Sequence, residues 1–300
     1  MSNSKVIKRN ALLWLQAEAE LGEGPLWVPE LNSFLWIDII NGDIFRTEFP
    51  SGKSYGIYSG YRPSSIVQVG KDKYLISDWD SIYQIDLKEN IIDKCTQMNF
   101  KPEVRFNDGK VDPYGKYWVG SMAVNGKKGM GSLYRYDITK GFKKVLSNIS
   151  ISNGMTWSRD KKTMYYIDTL DQLVYAFDFN KNSEISNKRS VIEIPEELGA
   201  PDGMTIDENG NLWIALWGGY CVICCDPVTG KIIERINIDA PLVTSCAFGG
   251  ENLDILIITT ARDSLNQEEL QNYPNSGSVF YKKMDVAGFL SPHVNLEKEY

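Results

Sequence analysis

Glu23, Asn107, Asn153 and Asp202 are the side chains of this 300-residue chain with the oxygen chemistry to hold a hard cation. Each stands at the head of an apolar segment. The four read Gly22-Glu23-Gly24-Pro25-Leu26-Trp27, Phe106-Asn107-Asp108-Gly109-Lys110-Val111, Ser152-Asn153-Gly154-Met155-Thr156-Trp157 and Pro201-Asp202-Gly203-Met204-Thr205-Ile206. Ser65 and Ser245 hold the same place in two further segments, and successive members of the six lie 42 to 49 residues apart. Carboxylate and carboxamide oxygens are what Ca²⁺ and Mg²⁺ take as ligands. Two carboxylates without a counter-ion in a dry setting are costly, so Glu23 and Asp202 call for a cation, with Asn153 adding a neutral oxygen. The two serines are too short to close the coordination, which leaves room for water and substrate. Arg105 lies two residues before Asn107, so both face the same side of an extended strand. Its guanidinium offers a fork of donors to hydroxyl or carboxylate oxygens; the alternative is a rim salt bridge. Taken singly, Asn107-Asp108-Gly109, Asn153-Gly154 and Asp202-Gly203 are also ordinary turn sequences.

These residues act together only if the chain brings them together, and the repeat supplies the means. After each opener comes an apolar strand, then turn residues such as Asp112-Pro113-Tyr114-Gly115 or Asp207-Glu208-Asn209-Gly210. A second apolar strand follows, for example Phe34-Leu35-Trp36-Ile37-Asp38 or Met164-Tyr165-Tyr166-Ile167-Asp168. A third alternates in period two, as in Leu133-Tyr134-Arg135-Tyr136-Asp137. Six copies of a unit this long predict an all-β, six-bladed β-propeller with four antiparallel strands per blade. The innermost strand of every blade starts on one rim of the central channel, which makes the openers neighbours. One domain spans residues 1–300. The last blade lacks an outer strand, and an N-terminal strand at about 11–19 is expected to complete it and close the ring. A β-sandwich with coincidental spacing is the competing fold, and six aligned copies argue against it.

A net charge of −7 and a pI near 5.0 disfavour nucleic acid and anionic membranes as partners. No apolar run reaches transmembrane length, and Ala11-Leu12-Leu13-Trp14-Leu15 is too short for a signal h-region, so a cytoplasmic protein is expected. Five cysteines without framework spacing fit a reducing compartment. Cys221, Cys224 and Cys225 resemble half a zinc site, but no second pair follows; they read as buried strand residues. His293 is the sole histidine, which argues against Ser-His-Asp, Cys-His and His-rich zinc chemistry. No oligomerisation signature stands out, and a monomer is favoured.

At these segments the chain resembles the senescence marker protein, gluconolactonase and luciferin-regenerating enzyme family, in its regucalcin-like branch. The likeness is carried by Arg105-Phe106-Asn107-Asp108-Gly109-Lys110-Val111-Asp112-Pro113, Ile151-Ser152-Asn153-Gly154, Pro201-Asp202-Gly203-Met204, Asp226-Pro227-Val228-Thr229-Gly230-Lys231, Thr244-Ser245-Cys246 and Ala261-Arg262-Asp263. The resemblance implies a six-bladed propeller holding one divalent metal ion on Glu23, Asn153 and Asp202, with Arg105 and Asn107 on the substrate. In one place the chain departs from the family: Asn125 stands where an acidic residue that grips sugar hydroxyls is expected, and a basic loop, Lys127-Lys128-Gly129, follows. Asn125 becomes a third candidate substrate contact.

The activity implied is hydrolysis of sugar lactones such as glucono-1,5-lactone by a metal-activated water, with Asp202 as general base. The metal is Ca²⁺, Zn²⁺, Mg²⁺ or Mn²⁺; an oxygen-only site does not choose among them. The alternative is a calcium-binding regulatory protein of the regucalcin type without essential catalysis. A pure protein-docking platform predicts no need for a metal, and the carboxylate ring argues against it. Hydrolysis of other esters, such as organophosphates, is disfavoured by the lack of a channel histidine.

Overall fold

The computed structural model describes residues 6–295. The strands are β1 (Ile7–Asn10) and β2 (Leu12–Leu15), then β3 (Gly22–Val28), β4 (Ser33–Asp38), β5 (Asp43–Glu48) and β6 (Ser54–Ser59). They continue with β7 (Pro63–Gly70), β8 (Lys73–Asp78), β9 (Ser81–Asp86), β10 (Ile91–Gln97), β11 (Val104–Val111), β12 (Tyr117–Ala123), β13 (Gly131–Asp137) and β14 (Gly141–Ile149). Next come β15 (Ser152–Trp157), β16 (Thr163–Asp168), β17 (Leu173–Phe179), β18 (Ile185–Glu193), β19 (Ala200–Ile206), β20 (Leu212–Trp217), β21 (Cys221–Asp226) and β22 (Lys231–Asn237). The last are β23 (Leu242–Gly249), β24 (Ile255–Ala261) and β25 (Val279–Lys283), with one short helix, α1 (Gln267–Asn272), between them.

The all-β propeller is what the structure shows, but the expectation of six four-stranded blades is corrected. Four separate four-stranded blades form: β3–β6, β7–β10, β11–β14 and β15–β18. The remaining strands run together into one nine-stranded sheet ordered β1-β22-β21-β20-β23-β24-β25-β2, with β19 also on β20. Two backbone features make this sheet, one fusing its halves and the other adding a strand at each end. Trp217 at the end of β20 pairs with both Ala200 of β19 and Leu242 of β23, which joins the two halves. The N-terminal segment straddles both halves: β1 adds in parallel to β22, Ala11 donates its amide to the Asn237 carbonyl, and β2 pairs antiparallel with β25.

The inner strands β3, β7, β11, β15, β19 and β23 pack each against the next, and β23 packs against β3, so they ring a central channel. β15 is buried along its whole length, whereas the outer β10 is exposed at most positions. Apolar side chains fill the space between neighbouring sheets; Leu26, Leu35, Ile37 and Ile44 meet Ile66, Tyr74, Ile76 and Ile85 in one such layer. Cys224 and Cys246 belong to another, and burial pushes the Cys246 thiol up to about 12, so these thiols are packing groups. Two hairpin turns are tied to the core in the same way. The carboxylates of Asp112 and Asp207 accept the indole N–H of Trp118 (2.8 Å) and Trp213 (2.9 Å), each buried.

Past the openers the channel widens into a cavity of about 380 Å³, floored by the C-terminal segment through Phe289, Leu290, Ser291 and Pro292. Among the described residues no helix is long and apolar enough to cross a membrane.

Candidate functional site

All six inner strands lose register with their neighbours at the opener. The break falls between Glu23 and Leu26, Pro63 and Ser65, Phe106 and Gly109, Asn153 and Met155, Pro201 and Met204, and Val243 and Ser245. A bulge bends its strand and re-aims the side chain at the break. The Asn-Gly and Asp-Gly pairs are therefore strand bulges and not the turns their composition allows. Their glycines serve close approach: a Cβ on Gly154 would lie 2.6 Å from the Asp202 carbonyl oxygen and 2.7 Å from the Met204 Cβ.

The bulges bring Arg105, Asn107, Asn153 and Asp202 onto one connected rim. Arg105 donates through Nη1 to the Phe106 carbonyl (2.7 Å) and to Asn107 Oδ1 (2.9 Å). Asn107 Nδ2 donates to the Ser152 carbonyl (2.9 Å) and to Asn153 Oδ1 (3.1 Å). Asn153 Nδ2 donates to Thr169 Oγ1 (2.9 Å), and that hydroxyl donates to the Pro201 carbonyl (2.8 Å), next to Asp202. The relay fixes the Asn153 amide by its nitrogen and leaves its oxygen a second lone pair. All four residues are buried, and no carboxylate ion-pairs with Arg105 among the described residues.

Glu23 joins them from the other side of the ring; its Oε2 accepts the Gly24 amide at 3.0 Å. Desolvation and the charge of Asp108 push the Glu23 carboxyl up to about 8. Asp202 is raised well above the usual carboxylate range by desolvation, then by the charges of Glu23 and Asp108. Burial lowers Arg105 to about 10, helped by the charge of Arg62 and opposed by Glu23, Asp202 and Asp263. Desolvation and neighbouring acid charge thus disfavour the ionised form of both carboxyls.

Ser65 is engaged elsewhere: its hydroxyl bonds Ser77 Oγ (2.7 Å) and Tyr117 Oη. Asn125 is placed apart from the relay. It is exposed in the turn after β12, and its Oδ1 accepts the Lys127 amide at 3.2 Å.

Asp108, Lys110 and Thr169 were not anticipated from sequence. Among the described residues the buried Oδ2 of Asp108 has no hydrogen-bond partner, and burial raises its carboxyl while Lys110 opposes the rise. Lys110 donates to the Met204 carbonyl. Asp108 and Lys110 had a signal, since both stand in the opening segment of β11; Thr169 had none.

Two carboxyls whose ionisation a cation would favour and an amide oxygen with a spare lone pair suit a hard divalent cation. No three His, Cys, Asp or Glu side chains meet in ligating geometry among the described residues, so a cation here must draw on the amide as well.

The SMP-30/Gluconolactonase/LRE-like region matches residues 21–262, which contain every residue of this cluster. The chain belongs to that family. YvrE of Bacillus subtilis, named as a candidate sugar lactone lactonase, is 35% identical over 284 residues, covering 93% of this chain and 97% of its own. Regucalcin of Gallus gallus is 36% identical over 267 residues, covering 87% and 89%. A calcium-binding regucalcin from Agrobacterium tumefaciens superposes with a TM-score of 0.92 at 25% identity, over 97% of this chain and 99% of that one. The family thus includes lactonases and calcium-binding proteins, and the segments of likeness named above lie within the matched region except at its edge, where Asp263 follows.

Proposed function

We propose that this chain is a divalent-cation-dependent lactonase that hydrolyses sugar lactones such as glucono-1,5-lactone. The observation that carries the reading is that half-buried Glu23 and buried Asp202 both head inner strands of the channel ring, with both carboxyls raised by desolvation first and then by neighbouring acid charge, that of Asp108 on Glu23 and those of Glu23 and Asp108 on Asp202. Glu23, Asn153 and Asp202 would hold the cation. When bound, it supplies a Lewis acid for the lactone carbonyl and favours the ionised form of both carboxylates.

The remaining work falls to the chain itself. Among the described residues Arg105 hydrogen-bonds through Nη1 alone, which leaves Nη2 and Nε to orient lactone oxygens. Asn107 is locked by Arg105, Ser152 and Asn153, so its position relative to Asp202 is set before substrate arrives. Asp202 takes the proton from the attacking water and returns it to the leaving ring oxygen as the acyl C–O bond breaks. General-base assistance of this kind is worth roughly 10²- to 10⁴-fold. Asn125 stays a candidate outer contact, reached only by a substrate that extends to the rim loop.

The cation is Ca²⁺, Mg²⁺, Mn²⁺ or Zn²⁺. A regulatory calcium-binding role without essential catalysis is the second reading, favoured by the description of the Agrobacterium relative as calcium-binding. Chelator-stripped protein given single cations separates the two. Restored lactone hydrolysis supports the enzyme; sub-micromolar Ca²⁺ affinity with no hydrolysis under any cation supports the regulator.

A further inference from the structure

Arg62 and Arg105 lie on neighbouring blades, and their backbones are linked through Trp79. Arg62 directly precedes β7; its carbonyl accepts the Trp79 amide (3.3 Å), and the Trp79 carbonyl accepts the amide of Phe106 (2.6 Å), the residue after Arg105. Two backbone hydrogen bonds therefore tie the main chain at Arg62, through Trp79, to the main chain beside Arg105. Trp79 makes this bridge with φ +55, a left-handed conformation costly for a bulky residue, so the surroundings impose it.

The acids nearest Arg62 are already engaged. Asp78 accepts the amides of Arg62 (2.6 Å) and Tyr61 (3.0 Å) and the Tyr58 hydroxyl (2.8 Å). Asp80 accepts the Ser81 hydroxyl (2.9 Å) and the Gln97 amide (3.1 Å). Among the described residues the Arg62 side chain has no hydrogen-bond or ion-pair partner. Of all charges around Arg105, that of Arg62 acts on it most strongly. With a cation offsetting Glu23 and Asp202, the remaining acid whose charge bears on Arg105 is Asp263, while the charge of Lys110 bears on Asp108. Two like charges held together, one without a partner, are a standing repulsion that an anion relieves. The guanidinium fork matches carboxylate and phosphate oxygens.

We propose that Arg62, with Arg105, binds an acid group on the substrate, so that the favoured substrate is an anionic sugar lactone carrying a free carboxylate or phosphate away from the ring carbonyl. This rests on the lactonase reading above for the lactone and on the rim geometry for the charge.

The test is equilibrium binding of D-glucarate and D-gluconate, which differ by the second carboxylate, to the full chain with and without added Mg²⁺. Calorimetry and the quenching of Trp79 at the rim report it. Glucarate is expected to bind the cation-loaded protein at least tenfold more tightly. Arg62→Ala should bring that ratio to within about twofold, and Arg62→Lys, with the charge but not the fork, should fall between. The variants' unfolding curves confirm that the fold is kept. Equal binding of the two acids by the wild type, or an unchanged ratio in Arg62→Ala, overturns the proposal. In parallel, kcat/KM for D-glucaro-1,4-lactone and 6-phosphoglucono-1,5-lactone against glucono-1,5-lactone tells a carboxylate from a phosphate. Absence of turnover on all three refutes the lactonase reading, while the binding ratio still decides the role of Arg62.

Discussion

Replacing Gly154 with alanine tests whether the close approach of β15 and β19 positions Asp202. The added Cβ would sit 2.6 Å from the Asp202 carbonyl oxygen, 2.7 Å from the Met204 Cβ and 2.9 Å from the Ile167 Cδ1. Ordinary contacts lie at about 3.5 Å or more, so the two strands must part by roughly 1 Å. Ile167 can turn its side-chain tip; the Asp202 carbonyl can move only with its strand. Overpacking of this kind costs about 1–3 kcal/mol, partly offset by about 0.5–1 kcal/mol because alanine loses less chain entropy than glycine. A net loss of about 1–2 kcal/mol is expected. The functional loss should be larger, since a displacement of about 1 Å at a reacting centre costs on the order of 100-fold in rate. Urea unfolding and lactone turnover at saturating cation measure both. Gly56→Ala on the outer strand β6 is the control, with no described residue within 4 Å of its added Cβ. A Gly154→Ala protein that matches Gly56→Ala in stability and in kcat refutes the reasoning.

Asp202→Ala should reduce turnover by at least 100-fold, while the cation-free protein unfolds at the same temperature or higher, because a repelling buried carboxylate is gone; a marked drop in melting temperature would show that Asp202 stabilises the fold. The raised Glu23 carboxyl gives a pH signature. Its folded value near 8 lies above its ordinary value of 4.5, so the cation-free fold holds an extra proton between them, and its stability should fall as pH rises across that window and level off above it. Cation affinity should run the other way, rising by up to about tenfold per pH unit for each proton released until about pH 8; calorimetric titrations at pH 6 to 9 check it. Trp14→Ala should cost about 2–3 kcal/mol in urea unfolding, because Trp14 packs on Phe34 and Phe49 and donates to the Pro50 carbonyl, pinning β2 over the sheet. Thiol titration of the native protein should label Cys95, which is exposed, and spare Cys221, Cys224, Cys225 and Cys246 until unfolding.

The parts of the fold that depend on side-chain pattern were legible in the sequence. The opener repeat named Glu23, Asn107, Asn153 and Asp202, and the bulges place the last three on one hydrogen-bonded rim with Arg105. The parts that depend on backbone pairing were not. The Trp217 to Leu242 pair that fuses the last strands into nine uses main-chain groups any residue carries, and so does the parallel addition of β1. Gly154 illustrates a third case: a turn and a close approach both favour glycine, and only the packing of β19 tells them apart. Thr169 holds the Asn153 amide from the end of the neighbouring strand, a role set by a contact across 16 residues with no local motif. Arg62 carries no signal in the sequence, since it precedes an opener and its significance comes from Arg105 on the next blade.

The most direct test of the central claim is acid release from glucono-1,5-lactone, followed with a pH indicator, by chelator-stripped protein given Ca²⁺, Mg²⁺, Mn²⁺ or Zn²⁺ singly, beside the Asp202→Ala protein. Turnover that is absent in stripped protein, returns with at least one cation and stays absent in Asp202→Ala is the result expected of a cation site on Glu23, Asn153 and Asp202. Full turnover in the stripped protein, or undiminished turnover by cation-loaded Asp202→Ala, would contradict it.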